Sequence, residues 1–292
     1  MATEGFGARL LAHQDPDGQW ADGAYFPAGA PRVTGRTGRT GRTGRTGSVD
    51  GDHLVADHPR DWGLAATALA GTAERLAVSC RREYDALPYW AGEVDCCING
   101  STLANGAWLG ADVAALARWF PEHQLADGGW NCGSVEGSTR SSSHSTLDVL
   151  RGLLAHEVET SGDHALRAAR RRGAGVPAAA RAAAHPLERG AGRPVGDAVA
   201  YPFRWVCAAL RALDHCRSAA LLDGVPPDPR LADAVEVVRA ARRPDSTWVQ
   251  EHRNPGLVWF EVDVPPGEPS AWLTCFATRV LTWWGQGQPA AG

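Results

Sequence analysis

One phrase recurs along the chain and restricts what it can fold into. Gln14-x-x-Asp17-Gly18-x-Trp20 returns as Gln124-x-x-Asp127-Gly128-x-Trp130, and Asp245-Ser246-Thr247-Trp248 is a weaker third copy. The tryptophans lie 110 and 118 residues apart, too far for one copy per unit of a simple solenoid. Each copy follows an amphipathic helical pattern, so what repeats is the way a helix ends. A second echo links Trp90…Glu93-Val94-Asp95 with Trp259…Glu261-Val262-Asp263. Repeated helix ends imply a repeated helix pair.

Apolar spacing predicts a short helix over 6–13, then helices over 61–78, 80–87, 101–109, 113–120 and 143–156. Another follows residue 163, and the last three cover 203–217, 231–242 and 269–284. Ala-rich patterns suited to burial alternate with amphipathic ones: 61–78 with 80–87, 101–109 with 113–120, 143–156 with its successor, and 203–217 with 231–242. Residues 269–284 are apolar nearly all round and close the series as a buried helix. The alternation predicts an all-α fold, an α/α toroid of about five helix pairs in inner and outer rings, as one domain over 1–292. Two stretches interrupt it. The Gly-Arg-Thr repeat makes a low-complexity loop at 33–48, and 165–198, rich in Arg, Ala and Gly, reads as a surface helix and a poorly ordered connection.

Composition removes whole reaction classes. All 29 cationic residues are Arg, and without Lys there is no Schiff base, no pyridoxal phosphate attachment and no Walker lysine. The net charge of -4, with no basic block interleaved with aromatics, argues against a nucleic-acid partner. Met1 to Gln14 has no secretory pattern, and no run of about 18 apolar residues suggests a transmembrane segment, so the expected location is cytoplasmic. Seven Cys, an odd number, fit a reducing compartment rather than a disulfide framework and leave thiols free to act as ligands.

Three residues form the candidate centre: Cys97 in Asp95-Cys96-Cys97-Ile98-Asn99-Gly100, Cys132 in Asp127-Gly128-Gly129-Trp130-Asn131-Cys132, and His144 in Ser142-Ser143-His144-Ser145. Each precedes or opens a helical pattern. If inner helices point their starts at one mouth, two thiolates and an imidazole meet there, a set suited to Zn2+ with its fourth position open to water or a thiol. Cys96 is the rival ligand, on the expectation that adjacent residues do not both face the site. Cys80, Cys207, Cys216 and Cys275 read as core packing. Glu93 and Asp95, echoed by Glu261 and Asp263, are candidate catalytic carboxylates, with solvated loop charge as the competing reading. Trp20, Trp130 and Trp248 read as plugs between helix layers. Trp62, Trp108, Trp205 and Trp272 lie on inner-helix candidates and are read as substrate-cavity walls suited to an apolar or cationic guest, or else as ordinary core.

On the Gln-x-x-Asp-Gly-x-Trp phrase and the helix alternation, the chain resembles the QW-type repeat proteins of the squalene cyclase and protein prenyltransferase β-subunit superfamily. The resemblance implies the α/α toroid and an apolar, isoprenoid-like substrate. Departures narrow it. The Asp-x-Asp-Asp motif of the cyclases is missing, Asp95-Cys96-Cys97 offers one carboxylate, and the chain is less than half the usual cyclase length, so a squalene-hopene reaction is not expected. Prenyltransferase β-subunits hold zinc with Asp, Cys and His; lanthionine synthetase cyclases, another toroid family, use two Cys and a His. Cys97, Cys132 and His144 resemble the second set, while Asp95 or Asp148 could serve in the first manner; the Cys-His dipeptide of the lanthionine enzymes is missing. The leading expectation is a zinc-dependent transferase or cyclase-like enzyme in an aromatic-lined barrel. The alternatives are a non-catalytic toroid that binds apolar ligands and a lanthionine-type thiol addition enzyme with a peptide partner.

Overall fold

The computed structural model describes residues 5–14, 16, 60, 62–82, 86–175, 200–203, 208–253 and 261–287. These residues form an all-α protein of nine helices with one two-stranded ribbon. They gather into two compact units, one of the described residues up to 173 and one of those from 174 onward. The loop at 33–48 lies outside the described residues, as does the connection from 176 to 199. Among the described residues no helix is long and apolar enough to cross a membrane.

In the first unit the helices are α1 (Gly5–Leu11), α2 (Thr72–Ser79), α3 (Cys96–Leu109), α4 (Ala114–Glu122), α5 (Ser143–Thr160) and α6 (His164–Ala174). Helix α3 buries Cys96, Ile98, Asn99, Thr102, Leu103 and Asn105, which cover most of its circumference. Its polar members are short amides and hydroxyls that find partners inside, so burial costs them little. Helix α4 buries only Leu116, Ala117 and Phe120 and turns its other face to solvent. The same contrast separates α5 from α6. Buried and amphipathic helices therefore alternate, as the apolar spacing predicts.

Helices α3 and α5 cross through two glycines. A methyl added at Gly100 would lie 2.7 Å from the Asp148 carbonyl oxygen, and one at Gly152 would run into the Gly100 carbonyl. Backbone meets backbone there because neither side carries a Cβ. The crossing brings the first turns of α3 and α5 into one neighbourhood.

Each letter of the repeated phrase has a structural task. The Trp130 indole N–H donates to the Phe120 carbonyl at 3.0 Å, taking an orphan acceptor at the end of α4, and its backbone N–H donates to Thr146 Oγ1 at 3.0 Å. Asp127 accepts from the Ser141 N–H at 2.9 Å, closing the loop on itself. Gln124 donates to the carbonyls of Gly128 (2.6 Å) and Ala169 (2.9 Å), tying the loop to α6. Trp130 is buried, as a plug between layers should be.

Helix α6 holds one buried ion cluster. Glu157 accepts from Arg167 Nε at 2.6 Å and from Arg170 Nε at 2.8 Å, and Arg170 is fully buried. Burial by itself would raise the Glu157 carboxyl, but the two guanidiniums outweigh it and hold it below the usual carboxylate range.

Two expected helices of this unit change. The stretch 61–78 is not continuous: a 3-10 turn at Ala66–Leu69 is followed by Gly71 in the left-handed region (φ 77°), and α2 begins after it. The helix expected at 80–87 is absent at its described ends. Cys80 is extended, Arg81 pairs with Pro88 in an antiparallel bridge, and the Arg82 N–H donates to the Leu87 carbonyl at 2.8 Å. The doubling back buries the Arg82 guanidinium, which donates to the Tyr89 carbonyl (3.0 Å) and Thr102 Oγ1 (2.5 Å) and lies 4.2 Å from the centre of the Tyr89 ring. Long-range polar contacts, invisible to helical periodicity, decide this segment.

The second unit holds α7 (Ala209–Asp223), α8 (Ala232–Ala240) and α9 (Ala271–Gln286), with β1 (Trp248–Val249) antiparallel to β2 (Pro269–Ser270). Helix α7 packs on α9 and is fastened to it by the Arg279 Nε to Asp214 bond of 2.6 Å. It starts at Ala209 rather than 203, and 204–207 lie outside the described residues. Helix α9 is not buried all round. Ala271, Cys275, Thr278 and Thr282 line an exposed face, because threonine satisfies a helix surface as readily as its interior. A groove of about 910 Å3 runs along that face.

Trp248 repeats the geometry of Trp130. Its indole N–H donates to the Val238 carbonyl at 2.8 Å and its backbone N–H to Thr274 Oγ1 at 3.1 Å. In both copies that threonine stands four residues after a serine N-cap, Ser142 for α5 and Ser270 for α9.

Candidate thiol centre

The segment before α3 is locked by one buried amide. Asn99 accepts from the Glu93 N–H and donates to the Glu93 carbonyl, both at 2.7 Å. Gly92 (φ 81°) must be glycine, since a methyl there would lie 2.5 Å from Asn99 Oδ1 and 2.6 Å from Leu116. The clamp places Asp95 at the N-cap, with Cys96 and Cys97 in the first turn. Cys132 arrives from the other side, opening a 3-10 turn (Cys132–Glu136) that Asn131 caps by accepting the Gly133 N–H.

Three sulfurs meet. Cys132 Sγ lies 3.0 Å from Cys97 Sγ and 3.6 Å from Cys96 Sγ. Ser145, in the first turn of α5, accepts the Cys132 N–H at 3.3 Å and donates its hydroxyl to Cys132 Sγ at 3.4 Å. The expectation that only one of Cys96 and Cys97 faces the site is therefore wrong. Neighbours on a helix are about 100° apart, and Cys132 approaches in the angle between them.

The trio shares its protons unevenly. Hydrogen bonding to Cys132 pushes the Cys96 and Cys97 thiols well above the ordinary range, and burial adds to the effect. Cys132 moves the other way, lowered by the hydrogen bonds from Cys96 and Cys97 and by the Ser145 hydroxyl, against the opposing pull of burial. Of the three sulfurs, Cys132 is the one whose surroundings favour the charged form. The charge of Asp148 raises Cys97 further, and that of Asp95 raises Cys96.

The other predicted residues are placed as follows. His144 is half-buried in the first turn of α5, but the next residue, Ser145, is the one that reaches the sulfur. Glu93 and Asp95 are buried, not the solvated loop charges of the competing reading, and Asp95 lies beside the trio. Their echoes are structural: Glu261 pairs with Arg253 at 2.5 Å, and Asp263 accepts from the Ser270 hydroxyl at 2.7 Å. Trp62 is half-buried. Trp108 is half-buried near the far end of α3, about 17 Å along the axis from the cysteines at 1.5 Å per residue. Trp205 and Cys207 lie outside the described residues, as does Trp20. Of the cysteines assigned to core packing, Cys80 is buried, Cys216 is half-buried with burial pushing its thiol up to about 12, and Cys275 is exposed. Cys275 falls on the open face of α9, which corrects its assignment.

Trp272 stands in the first turn of the second unit's α9. It stacks on Tyr201 at 5.0 Å between ring centres and 20° between planes, and Tyr201 and Phe203 both meet Phe276. Sequence reasoning passed over Tyr201, Phe203 and Phe276 because they sit on no repeated motif.

The chemistry of the donor set suits zinc, and its spacing partly does. Zinc–thiolate bonds of about 2.3 Å at tetrahedral angles separate sulfurs by about 3.8 Å. The Cys96–Cys132 pair is close to that, and the Cys97–Cys132 pair would have to open by less than an ångström. As the side chains stand, no group of three or more His, Cys, Asp or Glu among the described residues is arranged to hold a metal ion. No family model, no curated protein and no solved structure matches this chain.

Proposed function

We propose that the chain is a zinc-dependent transferase or cyclase-like enzyme of the α/α-toroid type, one domain over 1–292, acting on an apolar, isoprenoid-like substrate. The observation that carries the reading is the meeting of Cys96, Cys97 and Cys132 at the paired starts of two buried helices. The Trp130 and Trp248 loops, built alike after amphipathic helices, support the toroid. Residues Cys96, Cys97 and Cys132 would hold the metal, with Cys96 taking the place first given to His144. Zinc bound there would act as a Lewis acid with one position open to a substrate thiol or water. Ser145 steadies the Cys132 sulfur, and metal binding there would release thiol protons to solvent.

The test is metal content of the purified, reduced protein beside its Cys96→Ala, Cys97→Ala, Cys132→Ala and His144→Ala variants. Stoichiometric zinc, lost in the three cysteine variants and kept in His144→Ala, is the expected outcome. Folded wild-type protein without metal would overturn the zinc centre. The aromatic cluster in which partly exposed Phe203 and Trp272 pack on buried Tyr201 and Phe276 favours a second reading, an apolar-ligand binder without turnover. Uptake of an apolar fluorophore by metal-free protein, displaced in Trp272→Ala, would support it.

A further inference from the structure

We propose that Cys97 and Cys132 form a reversible disulfide by exchange with a low-molecular-weight disulfide, and that this oxidation switches the centre off. The inference rests on the reading of the thiol trio as the working centre and concerns its regulation.

The geometry selects the pair. Cys97 and Cys132 sulfurs are 3.0 Å apart, so forming a bond of about 2.05 Å takes a closure of about one ångström. Cys96 is 3.6 Å from Cys132 and only 1% exposed, whereas Cys97 and Cys132 are both half-buried. The remaining described cysteines do not enter the trio: Cys80 is buried in the core, and Cys216 and Cys275 belong to the second unit. Cys132 Sγ lies within 3.6 Å of both other sulfurs, so an adduct formed on it has a thiol within reach to resolve it.

The exchange runs in two steps. Cys132 gives up its proton to solvent and attacks one sulfur of the external disulfide, forming a mixed disulfide and expelling one small thiolate. Cys97 gives up its proton to solvent and attacks Cys132 Sγ; the Cys97–Cys132 bond forms, the mixed bond breaks and the second small thiolate leaves. Both leaving thiolates are protonated. Two electrons pass from the protein to the external disulfide, which ends as two thiols. The oxidised pair has no thiolate to offer a metal or substrate, leaving Cys96 alone.

The experiment uses the full chain, reduced, assayed for zinc, stripped with a chelator and equilibrated in glutathione buffers of increasing oxidised fraction. Intact mass and peptide mapping are the readouts, with circular dichroism to confirm that each protein is folded. Wild type is expected to lose two hydrogens and yield a Cys97–Cys132 linked peptide that dithiothreitol reverses. Cys96→Ala should behave alike, and Cys97→Ala should stop at a glutathione adduct on Cys132. Wild-type protein that stays reduced, stops at adducts, or links Cys132 to Cys96 instead would overturn the proposal. The zinc assay separates the two ideas: a cross-link in protein that held no zinc removes the metal centre alone, and zinc without a cross-link removes the switch alone.

Discussion

Cys132 and Gln250 hold the same place in two copies of one loop. Each follows a tryptophan by two residues, and each tryptophan closes its indole N–H on a carbonyl ten residues upstream. Gln250 uses the position to stitch backbone, accepting the Tyr201 N–H at 2.9 Å and donating to the Tyr201 carbonyl at 2.5 Å. Cys132 gives up that stitching and meets two thiols. A position that stitches backbone in one copy carries, in the other, a sulfur that meets two more, which sets Cys132 apart from a cysteine that merely fills space.

Trp130→Phe and Trp248→Phe should each lower stability by about 2–3 kcal/mol, since the ring is mostly kept but a buried carbonyl loses its donor and a gap opens. Urea denaturation followed by circular dichroism measures the cost. A change below about 0.5 kcal/mol would mean that the indole bonds do not close the helix ends.

Gly152→Ala should cost about 2–3 kcal/mol, because its methyl meets the Gly100 backbone and not a side chain that can swing away. The variant should also slow alkylation of Cys132, as α3 and α5 are pushed apart at the end that assembles the trio. Stability and alkylation moving together is the signature to look for.

In reduced, metal-free protein, iodoacetamide should modify Cys132 at a rate nearly level from about pH 6 to about pH 9, a window spanning the ordinary thiol pKa of about 8.5. Replacing both Cys96 and Cys97 by Ala removes the donors and should restore an ordinary sigmoidal rise. The linked stability has a definite sign. With its folded pKa lowered, Cys132 contributes stability fully above the ordinary thiol pKa and loses that contribution as pH falls toward the folded value.

Glu157→Gln should destabilise the first unit by about 3 kcal/mol, because it leaves the Arg170 guanidinium buried without its carboxylate. In the wild type the Glu157 carboxyl is held low, so its share of stability is present above the usual carboxylate pKa. That share fades as pH drops through the lowered value. Denaturation midpoints at neutral and acid pH, for wild type and variant, should converge as the pH falls.

Helical spacing was enough to locate α4, α5, α8 and α9 within a few residues, because each carries apolar residues at a helical period, whereas α3 begins at Cys96, five residues before the expected start at 101. It misjudged 80–87, where a buried arginine and a bridge to Pro88 outweigh local preference. Cys97 and Cys132 were legible as a pair from their places at helix starts. Cys96 was not, since its inclusion depends on the direction from which Cys132 approaches the helix.

The chain's own order of residues determines the all-α class, the alternation of buried and amphipathic helices and the recurrence of the tryptophan loops, because these follow from periodicity and from a repeated local phrase. Tertiary structure decided which side chains meet. Residues 96, 97, 132 and 145 come together only because Gly100 and Gly152 let two backbones touch, and no local pattern encodes a contact across 35 residues. The opposite shifts of Cys132 and its two neighbours are a property of that meeting, since each sulfur's charge depends on the protons its neighbours hold.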